Sequence, residues 1–166
     1  METDPARVSE LAREKTDENW RFRSFMKMLP RRRQQQINRA AEELGLKAQA
    51  QMDCRTCGAC CRENWIPIDD QEALRLASRL SLPVLEFKQA YLVTDPDQET
   101  GIDARPCPFL AGTECRVYSD RPEVCRGYPY IGGDIASRMV GIIERAEVCP
   151  IVFEMLEQLK RHLRFA

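Results

Sequence analysis

Apolar residues recur at helical spacing from Thr16 to Leu29, where Phe22, Phe25, Met26 and Leu29 share one face and Pro30 ends the pattern. Thr16 or Asp17 would cap this helix. A second helix is predicted from about Arg31 to Gln51, with Ile37, Ala40, Ala41 and Leu44 on one side and Gly45 as a weak point. Asp69, followed three residues later by Glu72, reads as a capping box opening a helix whose apolar side is Ala73, Leu74, Leu76, Ala77 and Leu80. Ser81 and Pro83 then restart a short helix carrying Val84, Phe87, Lys88 and Tyr91, which ends in the polar loop from Asp95 to Gly101. Beyond that loop the pattern shortens. Val117-Tyr118, Tyr128 to Ile131 and Met139 to Ile143 read as strands, with Gly132-Gly133-Asp134 as a hairpin turn between the last two. Pro150 begins a final helix carrying Val152, Phe153, Leu156, Leu159 and Leu163. The expected fold is α+β: a small cysteine-rich domain of short helices and short strands, with an N-terminal helical arm and a C-terminal helix. The expected division is an arm over residues 1–52 and a cysteine domain over residues 53–166.

The chain of 166 residues is long enough to bury a core without crosslinks, roughly 70% of its unfolded surface by size scaling. Its first twenty residues are charged throughout and carry no apolar run resembling a secretory signal, so a cytoplasmic protein is expected. Apolar stretches such as Ile151-Val152-Phe153 are too short to span a bilayer, and a net charge of -1 gives no global attraction to nucleic acid or anionic lipid. Arg31-Arg32-Arg33 lies near Trp20, Phe22 and Phe25, but Glu42 and Glu43 dilute it, and a solvated helix face explains it better than nucleic-acid binding. The expected partner is another protein. The aromatic side of the arm would pack on the cysteine domain or on a second copy of the chain, which would make a homo-oligomer.

Eight cysteines change this picture. They fall as Cys54-x-x-Cys57-x-x-Cys60-Cys61, then Cys107, Cys115, Cys125 and Cys149, with none before Cys54. Four disulfides would allow 105 connectivities, but a reducing compartment opposes them, and the vicinal Cys60-Cys61 pair suits a disulfide poorly. Three-residue spacings are instead common where sulfurs converge on a metal. Cys-x-x-Cys-Gly, from Cys54 to Gly58, is a tight turn used in zinc ribbons. Cys54, Cys57 and Cys60 equally describe three corners of a [4Fe–4S] cluster, with a distant Cys-Pro as the fourth, and Cys107-Pro108 and Cys149-Pro150 both qualify. The spacing alone leaves zinc and iron open.

Cys54, Cys61, Cys115 and Cys125 are each followed by arginine: Arg55, Arg62, Arg116 and Arg126. Guanidinium groups beside metal thiolates would compensate their charge, so these four arginines are candidate cofactor-binding residues. Cys149 stands at the start of the last helix, where the positive end of the helix dipole favours a thiolate. Cys107, held between Pro106 and Pro108, has a stiff backbone. Tyr118, Tyr128 and Tyr130 could donate to cluster sulfur, although a core role is the simpler account. No catalytic constellation is visible. The chain has one histidine, His162, near the end of the last helix, and Asp69 and Asp70 are explained by capping and solvent.

Several elements in fixed order resemble the YkgJ-type cysteine-cluster proteins, described as zinc- or iron-chelating domains. They are Cys54-Arg-Thr-Cys57-Gly58-Ala-Cys60-Cys61, Cys107-Pro108-Phe109-Leu110, Cys115-Arg-Val-Tyr118, Arg121-Pro122-Glu-Val-Cys125-Arg126-Gly-Tyr128-Pro129 and Cys149-Pro150. The resemblance covers about Cys54 to Pro150 and implies a metal site with all eight cysteines as candidate ligands. It supplies no reaction. Flagellin lysine methylases carry a related cluster, but their activity does not transfer to a chain of this length. Two functions follow from the residues. One is an iron–sulfur protein acting in electron transfer or as an accessory or maturation factor; the alternative is a structural module with two four-cysteine Zn2+ sites for protein interaction.

Overall fold

Asp4 accepts the amide of Ala6 and Pro5 takes the first helical position, so the chain is helical from Pro5–Glu14 (α1). The computed structural model describes residues 1–165. Helices α2 (Thr16–Met28) and α3 (Arg31–Gln49) follow, separated at Pro30. Then come α4 (Cys60–Glu63), α5 (Asp70–Arg79), α6 (Val84–Tyr91), α7 (Glu123–Gly127), α8 (Met139–Ala146) and α9 (Pro150–His162). The strands are short: β1 (Ile66–Pro67), β2 (Val93–Thr94), β3 (Thr100–Ile102), β4 (Leu110–Ala111) and β5 (Glu114–Cys115). The chain is thus α+β, with helices at both ends. No helix among the described residues is long and apolar enough to cross a membrane.

Two compact units emerge, one from Met1–Asp53 and Pro129–Ala166, the other from Cys54–Tyr128. In the helical unit α9 packs on α3 and α8. Ile37, Ala41, Gly45 and Ala48 form the buried stripe of α3. Gly45 is therefore a point of contact, not a weak point: a Cβ there would collide with Ile131 Cγ2. The α9 helix, grouped with the cysteines on sequence grounds, belongs to this unit.

Lys160 on α9 is 2% exposed, and its ammonium is matched rather than isolated. Its Nζ lies 2.6 Å from Glu18 Oε1 and donates to Asn19 Oδ1 at 3.0 Å, and it also pairs with Glu157. Lys15 Nζ reaches the other Glu157 oxygen at 3.1 Å. The ion cluster ties the start of α2 to the end of α9, and a buried cation needs all of these partners to offset its lost hydration.

The cysteine unit is built around an antiparallel sheet in the order β1-β3-β2, with Ile66 opposite Ile102 and Val93 opposite Gly101. Leu76, Phe87 and Phe109 fill its core beside Ile66 and Ile102. Burial of each such side chain contributes about 1.5–3 kcal/mol. The capping box of α5 forms as expected: Asp69 Oδ1 accepts from Glu72 N at 2.7 Å and Glu72 Oε2 accepts from Asp69 N at 3.3 Å. A separate hairpin joins β4 to β5 through Gly112-Thr113, where Gly112 adopts φ +64° and pairs Leu110 with Cys115.

Several local expectations fail for physical reasons. Met139 to Ile143 is not a strand but part of α8, and its buried residues Met139, Ile142, Ile143 and Ala146 follow a helical period that a short apolar run conceals. Val117-Tyr118 leads into a 3-10 turn, Tyr118–Asp120, and Tyr128 to Ile131 is irregular. Gly132 and Gly133 do adopt positive φ, 100° and 79°, but close no hairpin. Arg138 instead holds that loop by donating to the carbonyls of Gly132 at 2.5 Å and Tyr130 at 3.1 Å. Leu74, expected on the apolar side of α5, is 56% exposed. Neither Thr16 nor Asp17 caps α2, whose first turn is preceded directly by α1.

Replacing Lys160 by Ala leaves the buried Glu157 carboxylate without its main cation and should cost about 3–5 kcal/mol, read as a lowered urea midpoint. The pH dependence has a definite sign. Lys160 holds Glu18 below its ordinary 4.5, so that stabilisation is complete above 4.5 and is lost as pH falls through the depressed folded value. A urea midpoint that does not move between pH 6 and pH 3 would contradict this. Gly45→Ala improves helix propensity by about 1 kcal/mol. Crowding against Ile131 costs about 1–3 kcal/mol, so a net loss of stability is expected in thermal melts.

Candidate metal centre

The first cysteine-bearing segment is a single 3-10 turn, Cys54–Thr56, in which the Cys54 carbonyl accepts from Cys57 N at 3.3 Å and Gly58 N at 3.5 Å. Gly58 has φ +63°, and a Cβ there would press on Arg62 Nη1 at 2.9 Å and Thr113 O at 3.1 Å, so glycine is required. Cys60 and Cys61 open α4 immediately afterwards. The Cys61 carbonyl accepts from Cys107 N at 2.7 Å, which brings the Cys107 segment against α4. Leu110 N donates to Cys107 O at 3.0 Å and the hairpin returns to Cys115 opposite Leu110. Cys125 stands in α7, whose first amide, Glu123 N, donates to Glu72 Oε1 at 2.7 Å. One glutamate thus serves both the cap of α5 and the position of α7.

Cys61, Cys107, Cys115 and Cys125 all pack against the hydrophobic core of this unit and are reduced thiols. They also sense one another. A hydrogen bond from Cys60 lowers the Cys61 pKa to about 7, with help from the Arg62 charge and against the effect of burial. Burial pushes Cys107 up to about 11, and the Cys61 and Cys115 charges add to the rise. Cys115 is raised, first by burial and then by Cys61, while Arg121 opposes the shift. Cys125 reaches about 12 through burial and the charges of Cys61, Cys107 and Cys115, again opposed by Arg121. Four sulfurs from four segments therefore share one electrostatic neighbourhood. Among the described residues, no three Cys, His, Asp or Glu side chains close around the position of a single ion.

The other four cysteines are placed differently. Cys54 is exposed, and Cys57 and Cys60 are half-buried beside the first turn. Cys149 is 7% exposed at the N-cap of α9, with Pro150 in the first helical position, and belongs to the helical unit. His162 lies exposed in the last turn of the same helix, beside Arg161.

The arginines act mainly on backbone. Arg62 donates to the carbonyls of Gly58 at 2.8 Å, Cys57 at 3.4 Å and Gly112 at 2.7 Å, and its charge also favours the Cys61 thiolate. Arg116 Nη2 donates to Pro108 O at 3.0 Å and Arg126 Nε to Arg121 O at 2.9 Å, so each fixes a cysteine-bearing loop. Arg55 lies within the first turn. Arg121 escaped the sequence analysis as a charge-compensating residue: it stands four positions before Cys125, stacks on the Tyr118 ring at 3.9 Å and favours the ionised forms of Cys115 and Cys125. No local spacing marks it. Arg75, on α5, donates to the carbonyls of Asp120 and Arg121 and holds that segment in place.

An all-sulfur donor set with nearby guanidinium groups fits a soft metal or a metal–sulfur core. These features define a cysteine-based metal-binding domain. Residues 53–150, more than half of the chain, match the family model CxxCxxCC, described as "Putative zinc- or iron-chelating domain", and the chain belongs to that family. No curated protein and no solved structure matches it.

Alkylation of the metal-free protein tests the electrostatics. At pH 8 iodoacetamide should modify Cys61 well before Cys107, Cys115 and Cys125, as followed by peptide mass spectrometry, because the thiolate is the reactive form. Equal labelling of all four would contradict the described ordering.

Proposed function

We propose that the cysteine unit holds a [4Fe–4S] cluster on Cys61, Cys107, Cys115 and Cys125 and acts as an electron-transfer or accessory factor for another protein. The observation that carries this reading is that Cys61, Cys107, Cys115 and Cys125, from four segments, pack on one core and are drawn together by the Cys107 N to Cys61 O bond and the β4–β5 hairpin. A [4Fe–4S] core takes one cysteine thiolate at each of four corners, and four cysteines pack on the core of this unit. The bound cluster would supply a one-electron couple whose potential depends on burial, net charge and hydrogen bonding.

The chain's own residues prepare such a centre. Burial keeps Cys107, Cys115 and Cys125 protonated in the metal-free protein, so loading exchanges protons for metal charge and becomes more favourable as pH rises. Arg62 and Arg121 offset part of the thiolate charge. A site built from cysteine thiolates suits a reducing compartment, which supports a cytoplasmic protein. A zinc-binding interaction module is favoured by one different observation, the Cys54–Gly58 turn, a Cys-x-x-Cys-Gly segment closed by the Cys57 and Gly58 amides on the Cys54 carbonyl.

Metal and sulfide analysis of anaerobically purified protein separates the two. About four irons and four acid-labile sulfides per chain, with brown absorbance that bleaches on reduction, are expected for the cluster. Cys125→Ser should lower both iron and sulfide. One or two zincs with no sulfide would remove the iron–sulfur reading in favour of the zinc module, and a metal-free protein would remove both.

A further inference from the structure

Arg62 bridges two segments that regular secondary structure does not join. Its Nη1 donates to Gly58 O at 2.8 Å and Cys57 O at 3.4 Å, while its Nη2 donates to Gly112 O at 2.7 Å, fifty residues along the chain. Each segment is weakly held by itself. Cys54–Thr56 is one 3-10 turn, and Gly112-Thr113 is the two-residue loop of a hairpin whose strands are two residues long. The room for the guanidinium depends on glycine, since a Cβ on Gly58 would lie 2.9 Å from Nη1. Arg62 follows Cys61 directly, so the side chain that grips both loops is rooted at the helix carrying one of the four coupled sulfurs.

We propose that Arg62 is a positioning residue of the metal centre: its planar fork fastens the Cys54–Cys57 turn to the hairpin carrying Cys115 and holds both in register with Cys61 before metal arrives. The inference rests on the reading of this unit as a metal site. It assigns to Arg62 a role that charge alone does not fill. A lysine at this position keeps the positive charge, but its single ammonium on a flexible stem cannot span three carbonyls on two loops as a planar guanidinium does. Preorganised outer groups of this kind change metal affinity by roughly 10- to 100-fold when removed.

The test uses the full chain, metal-free and anaerobic, titrated with Co2+, whose thiolate charge-transfer and ligand-field bands report the number and arrangement of bound sulfurs. Arg62→Lys and Arg62→Met should both bind Co2+ roughly 10- to 100-fold more weakly than the parent chain, with an altered ligand-field envelope. Their metal-free far-UV circular dichroism should match that of the parent. Should the Met variant lose its metal-free fold, the Lys variant decides, because it retains charge and stem. Parent-like affinity and bands in Arg62→Lys would overturn the positioning role, whether or not Arg62→Met is impaired. A parent chain that shows no thiolate bands sinks the metal reading and this inference together; parent bands with unaltered variants sink this inference alone.

Discussion

Four sulfurs drawn into one partly buried neighbourhood resist joint ionisation, and the cysteine unit is organised around that resistance. Burial is the largest cause at Cys107, Cys115 and Cys125, and the Cys61 charge adds to it at all three. Cys61 is the exception, because Cys60 donates to it and Arg62 lies beside it. The protein alone therefore favours one thiolate among neutral thiols. A cation at the centre reverses the balance, since every proton removed then exposes a ligand to positive charge. Affinity for metal and the fold of this unit are two expressions of one linkage.

Holding such a neighbourhood together is work for side chains that grip backbone carbonyls, because the cysteine-bearing segments have little regular structure. Arg62, Arg116 and Arg126 each donate to a carbonyl in or next to a cysteine-bearing loop. Glu72 provides the acidic counterpart, accepting from Asp69 N at the cap of α5 and from Glu123 N at the start of α7. Each bond also satisfies a polar group that a short loop leaves open, so its loss costs more than an average hydrogen bond contributes.

Long periodic segments were legible before any coordinates. The stripes of α2, α3, α5 and α9 follow a 3.6-residue period over more than two turns, and the Asp69–Glu72 box marked the start of α5 to within a residue. Strands of two residues show no alternation, which is why β1, β2, β4 and β5 went unnoticed. Apolar density at Met139 to Ile143 imitated a buried strand because a single helical turn of such residues has no distinguishing period. The cysteine spacing pointed to metal chemistry and to the family. It could not reveal which sulfurs couple, since that depends on the Cys107 N to Cys61 O bond and on the hairpin turn at Gly112. Arginines following cysteines suggested charge compensation, while most of their bonds run to carbonyls, a distinction that only three dimensions draw.

The two compact units differ in one respect that concerns biosynthesis. Residues 54–128 form an uninterrupted stretch, whereas the helical unit is assembled from both sides of it, with α3 resting on α9. A ribosome delivers Cys54 through Cys125 well before Pro150–His162 leaves the exit tunnel. The segments that make up the cysteine unit are thus all synthesised before the helix that completes the other unit, and its core closes without waiting for the C-terminal residues.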